Sequence, residues 1–237
     1  MLSDFIKFSN QLADISGDII LDYYNRQYAS HLKNDKSLVT IADQEAEKVM
    51  RQEILKIFPN HGIIGEEDGN YNIDADYVWI LDPIDGTLSF SIRRPLFGTL
   101  IALSYKKEII LGIMNSPITK ERWVGGMEFP TKLNGNNCIT KKNQSLQNAV
   151  IATTSPQYYN EQELIKFNNL TKHCQQIAYG GDCYNFGLLA DGKIDIVIEA
   201  GLNLYDYAAL IPIIEQAGGA VTDWHGNKLT TIITDKK

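Results

Sequence analysis

Three groups of carboxylates stand out by type and spacing: Gly65-Glu66-Glu67-Asp68, the string Trp79-Ile80-Leu81-Asp82-Pro83-Ile84-Asp85-Gly86-Thr87, and Tyr205-Asp206. In the second, an apolar run delivers Asp82 to its end, and Pro83 biases Asp82 towards extended backbone. Asp85 follows three residues later, read here as lying past a turn, so that the two carboxylates converge with the Ile84 carbonyl between them. Two carboxylates and a carbonyl are hard oxygen ligands, suited to magnesium rather than to zinc or copper. Gly86 permits close backbone approach, and the Gly86 and Thr87 amides would face an anion if a helix begins there.

Each fragment alone has a plainer reading. Asp-Pro and Asp-Gly mark surface turns, and acidic pairs after strands, such as Glu66-Glu67, are usually solvated. A lone Asp206 would sooner cap a helix N-terminus than bind metal. Thr40-Ile41-Ala42-Asp43 also fits a capping box. It is the whole nine-residue string, with its order of strand, proline and glycine, that favours a ligand set over a turn.

The elements that must position these groups follow from apolar periodicity. Leu2, Phe5, Leu12, Ile15, Ile19 and Tyr23 predict a long amphipathic helix over the first thirty residues. A second runs from about Ala42 to Phe58, stopped by Pro59 and Asn60. Strands are expected at Gly62–Gly65, Tyr77–Asp82, Phe97–Tyr105, Ile109–Met114 and Arg122–Gly125, with Lys106-Lys107-Glu108 as a hairpin turn. The second half alternates: a strand at Ala149–Thr153, helices at Gln162–Lys172 and Cys183–Ala190, and a strand at Ile194–Glu199. A helix over Asp206–Ala217, kinked by Pro212, and a strand at Ala220–Asp223 complete the pattern. Gly192 and Gly218 stand where helix C-terminal glycines belong. The result is a mixed α/β architecture with helices layered on sheets.

The 237 residues carry a formal net charge of -7, which repels a nucleic-acid backbone. No Lys/Arg cluster offers positive charge to an anionic ligand, which makes bound metal ions its natural source. Cys138, Cys174 and Cys183 fit neither a zinc site nor a disulfide framework, so a reducing cytoplasm is expected. Neither a signal peptide nor a membrane span is apparent, and no contact with a membrane is expected.

In order and spacing, Val39-Thr40-Ile41-Ala42-Asp43, Gly65-Glu66-Glu67, Asp82–Thr87, Asp206 and Ala217-Gly218-Gly219 resemble the inositol monophosphatase superfamily of lithium-sensitive, magnesium-dependent phosphatases. The resemblance covers nearly the whole chain and implies a layered α/β/α/β/α sandwich. It also implies that Glu66, Asp82 and the Ile84 carbonyl bind one magnesium, and that Asp82 bridges to a second held also by Asp85 and Asp206. A third, weaker magnesium near Glu66 would hold the attacking water. Thr87 with Glu66 would activate that water, Asp43 would stand close by, and Gly86 and Thr87 would contact the phosphate. Lithium would inhibit. A phosphate monoester dianion resists nucleophiles until its charge is neutralised, so two metals flanking the reacting phosphorus suit direct attack by water.

The second half is most similar to the histidinol-phosphatase branch, through Pro117–Trp123, Thr153-Thr154-Ser155-Pro156, Gly180-Gly181-Asp182-Cys183-Tyr184, Ile198–Leu202 and Tyr205-Asp206-Tyr207. L-Histidinol phosphate carries an ammonium group and an imidazole, which Asp182 and Glu199 would attract and Asn185 would hydrogen-bond. Asp182 as an N-cap and Glu199 as a solvated strand end are the plainer readings. The alternative substrates are inositol, sugar or nucleotide monophosphates. Leu38 stands where the family usually has proline, Ser89 and Ser91–Arg94 are unusual, and Arg93 and Arg94 read first as surface arginines. One domain over residues 1–237 is expected, with lobes of about 1–145 and 146–237, and by resemblance a homodimer. The chain ends about twenty residues before family members generally finish, so a final strand and helix are expected to be missing.

Overall fold

Apolar residues recurring at helical spacing bring α1 (Leu2–Arg26) onto the core through Phe5, Phe8, Leu12 and Ala13. The computed structural model describes residues 2–26, 31–32, 38–39, 41–142 and 145–229. Thr40, the segment around Lys36 and the last residues from 230 lie outside them, and with them the expectations for that loop and the C-terminus. An antiparallel pair, β1 (His31–Leu32) and β2 (Leu38–Val39), precedes α2 (Ile41–Ile57), which buries Ala42, Ala46, Met50 and Ile54.

The chain then builds β3 (Gly62–Gly65), β4 (Gly69–Tyr71), β5 (Tyr77–Asp85), a short α3 (Thr87–Ser91), β6 (Gly98–Tyr105), β7 (Glu108–Ser116), β8 (Glu121–Gly126), β9 (Phe129–Leu133) and β10 (Asn136–Asn137). These strands form one sheet in the order β10-β9-β8-β7-β6-β5-β3-β4. All neighbours are antiparallel except β3 and β5. Lys106 and Lys107 both have positive φ (49° and 70°), the conformation a two-residue hairpin turn requires between β6 and β7.

Beyond the hairpins come β11 (Val150–Thr153), α4 (Glu161–Thr171), β12 (Gln176–Tyr179), α5 (Tyr184–Ala190), β13 (Ile196–Val197), α6 (Leu204–Tyr207) and α7 (Leu210–Glu215). β11 lies between β12 and β13 in a parallel sheet.

Strand alternation sets the layers. Trp79 and Leu81 of β5, with Ile101 and Leu103 of β6, pack against α1 and α2. Val78, Ile80, Leu100 and Ala102 pack on the other face against α5 and α7. The small sheet follows, and Phe167 of α4 covers its far side with Ile151 and Tyr159. The order is helix, sheet, helix, sheet, helix. Two glycines let α7 approach the large sheet: a Cβ on Gly112 would lie 2.0 Å from the Ala209 carbonyl oxygen, and one on Gly125 would lie 2.6 Å from Ile213 Cα.

Several expectations are corrected. No turn separates Asp82 from Asp85, because β5 runs through both. The helix expected over Asp206–Ala217 is divided at Ala208 and Ala209. Pro212 has no N–H to offer the Ala208 carbonyl, which is where the division falls. The Ala220–Asp223 strand reduces to a bridge between Thr222 and Lys228. There the Asp223 carboxylate instead gathers the amides of His225 and Asn227 into a turn. β13 is shorter than Ile194–Glu199, although Asp195 and Ile198 each donate a further backbone bond to β11. Among the described residues no helix is long and apolar enough to cross a membrane.

Candidate active site

In a regular strand, residues three apart point to opposite faces. Asp82 and Asp85 do not, because the pairing of β5 with β6 shifts between them: Asp82 faces Leu100 and Asp85 faces Gly98. This bulge turns both carboxylates the same way. Its spare carbonyl, that of Pro83, accepts a bond from buried Thr99 Oγ1 at 2.8 Å. The Cys183 amide donates to Asp85 Oδ2. Asp206 arrives from α6, where it is the third helical residue and not the cap. Asn203 caps that helix, and its amide donates to Asp206 Oδ2 at 2.6 Å. Carboxylate oxygens of Asp82, Asp85 and Asp206 all lie within 4.8 Å of one another.

A second cluster, to the same 4.8 Å limit, joins Asp43 of α2 to Glu66 and Glu67 after β3. The sequence reading had set Glu67 aside, and it missed Glu47 altogether. Glu47 is buried one helical turn beyond Asp43. It pairs with Arg51 at 2.7 Å and accepts the amides of Glu67 (2.8 Å) and Asp68 (3.0 Å). The chain over Gly65–Asp68 is therefore hung from α2. The signal was present as the i, i+4 pair Asp43 and Glu47 on a buried helix face.

Carboxylates gathered this closely raise one another's pKa values. Asp82 is pushed well above the usual carboxylate range, first by burial and then by Glu66, Asp85, Asp206 and Asp43. Asp85 is raised by burial, then by Asp182 and Asp206, against the opposing Cys183 amide. Burial takes Asp206 up to about 6 although bonds from Asn203 and Asp82 oppose it. Asp82 Oδ1 is buried with no hydrogen-bond partner. Hard oxygen donors, like-charge strain and an orphaned oxygen together fit a divalent cation of the magnesium type.

Glu66, Asp85, Thr87 and Asp206 line a cavity of about 520 Å³ together with Asp182 and Glu199. α3 begins at Thr87, with Gly86 before it in the left-handed region (φ 91°). A Cβ on Gly86 would come within 3.0 Å of the Asp182 side chain. Thr87 Oγ1 donates to the Ile84 carbonyl at 3.1 Å, leaving that carbonyl its second lone pair.

Beside Gly86 and α3, Asp182 (φ 46°) accepts from Ser89 Oγ at 2.6 Å. Burial raises its pKa, while Ser89 and Arg94 oppose. It does not cap α5, whose N-cap position is Cys183. Glu199 Oε1 accepts both the amide and the hydroxyl of Thr154, at 2.7 and 2.9 Å. Burial lifts Glu199 to about 7, with Asp182 adding to the shift and Thr154 opposing it. Asn185 is the exception. It is buried behind the wall, where its amide donates to the Gly180 carbonyl at 2.9 Å, so it shapes the Gly180–Asp182 turn and does not line the cavity. Arg93 stacks on Tyr24 at 4.2 Å, away from the cavity.

The profile of the "Inositol monophosphatase family" matches residues 1–235. The chain is similar to the bifunctional phosphatase IMPL2, chloroplastic, of Arabidopsis thaliana, 46% identical over 229 residues. That match covers 96% of this chain and 66% of the relative, so the chain spans just under two thirds of it. A histidinol-phosphatase of Chlorobaculum parvum is 31% identical over 225 residues, 94% of this chain and 87% of that one. Among solved structures, an inositol monophosphatase from Zymomonas mobilis superposes with a TM-score of 0.88 at 43% identity, covering 97% of this chain and 89% of that one.

Proposed function

This chain belongs to the inositol monophosphatase family, and from that premise we propose that it hydrolyses a phosphate monoester whose alcohol portion is cationic, with L-histidinol phosphate as the substrate. The family membership makes it a phosphoric monoester hydrolase. The observation that carries the narrower reading is the second acidic pole. Asp182 and Glu199 face the same cavity as the aspartate cluster, where carboxylates would repel an anionic alcohol portion and attract an ammonium or imidazolium more strongly than a neutral polyol. The similarity to the Chlorobaculum histidinol-phosphatase supports it. The Zymomonas neighbour supports the second reading, an inositol monophosphate.

Asp82, Asp85, Asp206 and the Ile84 carbonyl would hold magnesium on one side, and Glu66 with Asp43 and Glu67 would do so on the other. Bound there, magnesium supplies neutralising charge to the phosphate and makes a water easier to deprotonate. Gly86 and Thr87 present amides to the phosphate oxygens. Thr87 and Glu66 orient the attacking water, and Glu66 is the carboxylate placed to take its proton. Asp182 and Glu199 bind the alcohol portion and set its direction, so that the leaving oxygen lies opposite the water. The Ser89 and Thr154 bonds hold those two carboxylates in place before the substrate arrives. No covalent phosphoenzyme is needed. The test is phosphate release from L-histidinol phosphate with magnesium and after its removal by chelation. Turnover that survives chelation, or none with magnesium, would refute the proposal.

A further inference from the structure

Residues Glu199–Leu202 form a wall with open space on both faces. The active-site cavity lies on one side, and a second cavity of about 630 Å³ lies on the other, both lined by Glu199, Ala200, Gly201 and Leu202. The segment packs on one side, where Ile198 and Ala200 join the cluster of Tyr159, Phe167 and Trp224, and hydrogen bonds from the same side fix its backbone. Beyond the wall, Trp224 Nε1 donates to the Glu199 carbonyl at 3.0 Å. The indole meets Tyr159 edge-on at 5.4 Å, and the Tyr159 hydroxyl donates to the neighbouring Ile198 carbonyl at 2.9 Å while bonding Thr153 Oγ1 at 2.6 Å. The side chain of Glu199 is tied separately, to Thr154.

We propose that Trp224, outside the active site, is a positioning residue for substrate selectivity: with Tyr159 it clamps the backbone of Glu199 so that the carboxylate meets the cationic portion of the ester. Trp224 itself is held in the turn that Asp223 organises. The inference rests on the reading of Glu199 as a cation-facing carboxylate.

Trp224→Phe keeps a ring against Tyr159 and removes the donor together with part of the indole's volume, whereas Tyr159→Phe removes the second bond of the clamp with its ring left in place. The expected result for each is a KM for L-histidinol phosphate raised about three- to tenfold, the range that loss of one hydrogen bond produces. kcat stays within about twofold, and the KM for inositol 1-phosphate is unchanged. Glu199→Gln is measured alongside. If it raises the KM for L-histidinol phosphate and both clamp variants leave that KM alone, the clamp is refuted and the role of Glu199 stands. If Glu199→Gln leaves it unchanged, both fall. Equal rises on both substrates, or a loss of thermal stability with kinetics intact, would show that Trp224 is structural only.

Discussion

Replacing Glu199 by Gln should make the enzyme more stable and a poorer binder of a cationic ester. The fold raises Glu199 from an ordinary 4.5 to about 7, chiefly by burial. Below pH 4.5 the group is protonated both folded and unfolded, and its preference for the neutral form stabilises the fold in full. That contribution is lost as pH rises towards 7, because the unfolded chain releases the proton first. At about 1.36 kcal/mol per pH unit, the ionised group costs the folded state about 3 kcal/mol at pH 8, which partial solvent access at the cavity mouth reduces to about 1–3. Gln keeps an oxygen where Thr154 donates twice, so the variant should recover that amount at pH 8 and almost nothing at pH 4.5. A chain of this size gains roughly 2–4 °C in Tm per kcal/mol. The same change removes a charge-assisted bond to an ammonium group, about 1.5–3 kcal/mol, or about 10- to 150-fold in KM for L-histidinol phosphate. Thermal unfolding at the two pH values and steady-state kinetics at pH 8 read both effects. A Tm at pH 8 no higher than that of the parent, or an unchanged KM, would refute the assignment of Glu199 as a strained, cation-facing carboxylate.

Asp82→Asn should lower kcat at least about a hundredfold while near-UV circular dichroism stays native; near-normal turnover would remove Asp82 from the metal ligands. Magnesium at about 100 times its Kd should stabilise the parent by about 2.7 kcal/mol and this variant by much less, a comparison that thermal unfolding makes without any substrate. Asp182→Ala should raise the KM for L-histidinol phosphate more than that for inositol 1-phosphate, and equal losses would remove Asp182 from the specificity argument. Gly112→Ala, whose new methyl would meet the Ala209 carbonyl oxygen at 2.0 Å, should destabilise the fold by about 1–3 kcal/mol in urea unfolding, with Gly125→Ala behaving alike.

Much of this was legible because the strongest signals were local. Alternation along Val78–Leu81 and the spacing of Phe5, Leu12, Ala46 and Met50 belong to elements buried on known faces, and those elements formed as expected. The strands β4, β9, β10 and β12 were missed: they are short and largely exposed, so burial left little pattern in their residues. The bulge in β5 was misread as a turn because Asp-Pro and Asp-Gly favour turns, while the contacts that hold it extended, from Thr99 and the β6 ladder, come from another strand. The order of their motifs singled out Asp82, Asp85, Glu66 and Asp206, which the fold gathers into the two carboxylate clusters. Glu47, Ser89 and Thr154 were given no role, since each acts on a distant segment: Glu47 accepts the amides of Glu67 and Asp68, and Ser89 and Thr154 donate to Asp182 and Glu199. Asn185 was assigned to substrate by its neighbourhood, but the tight Gly180-Gly181 turn claims its amide.

The most direct test of the central claim is phosphate release, with magnesium, from L-histidinol phosphate, inositol 1-phosphate and 3′-phosphoadenosine 5′-phosphate in parallel. The account predicts a preference for L-histidinol phosphate of at least about a hundredfold in kcat/KM, equivalent to about 2.7 kcal/mol. Comparable values for the three esters would contradict it and leave Asp182 and Glu199 as parts of the scaffold.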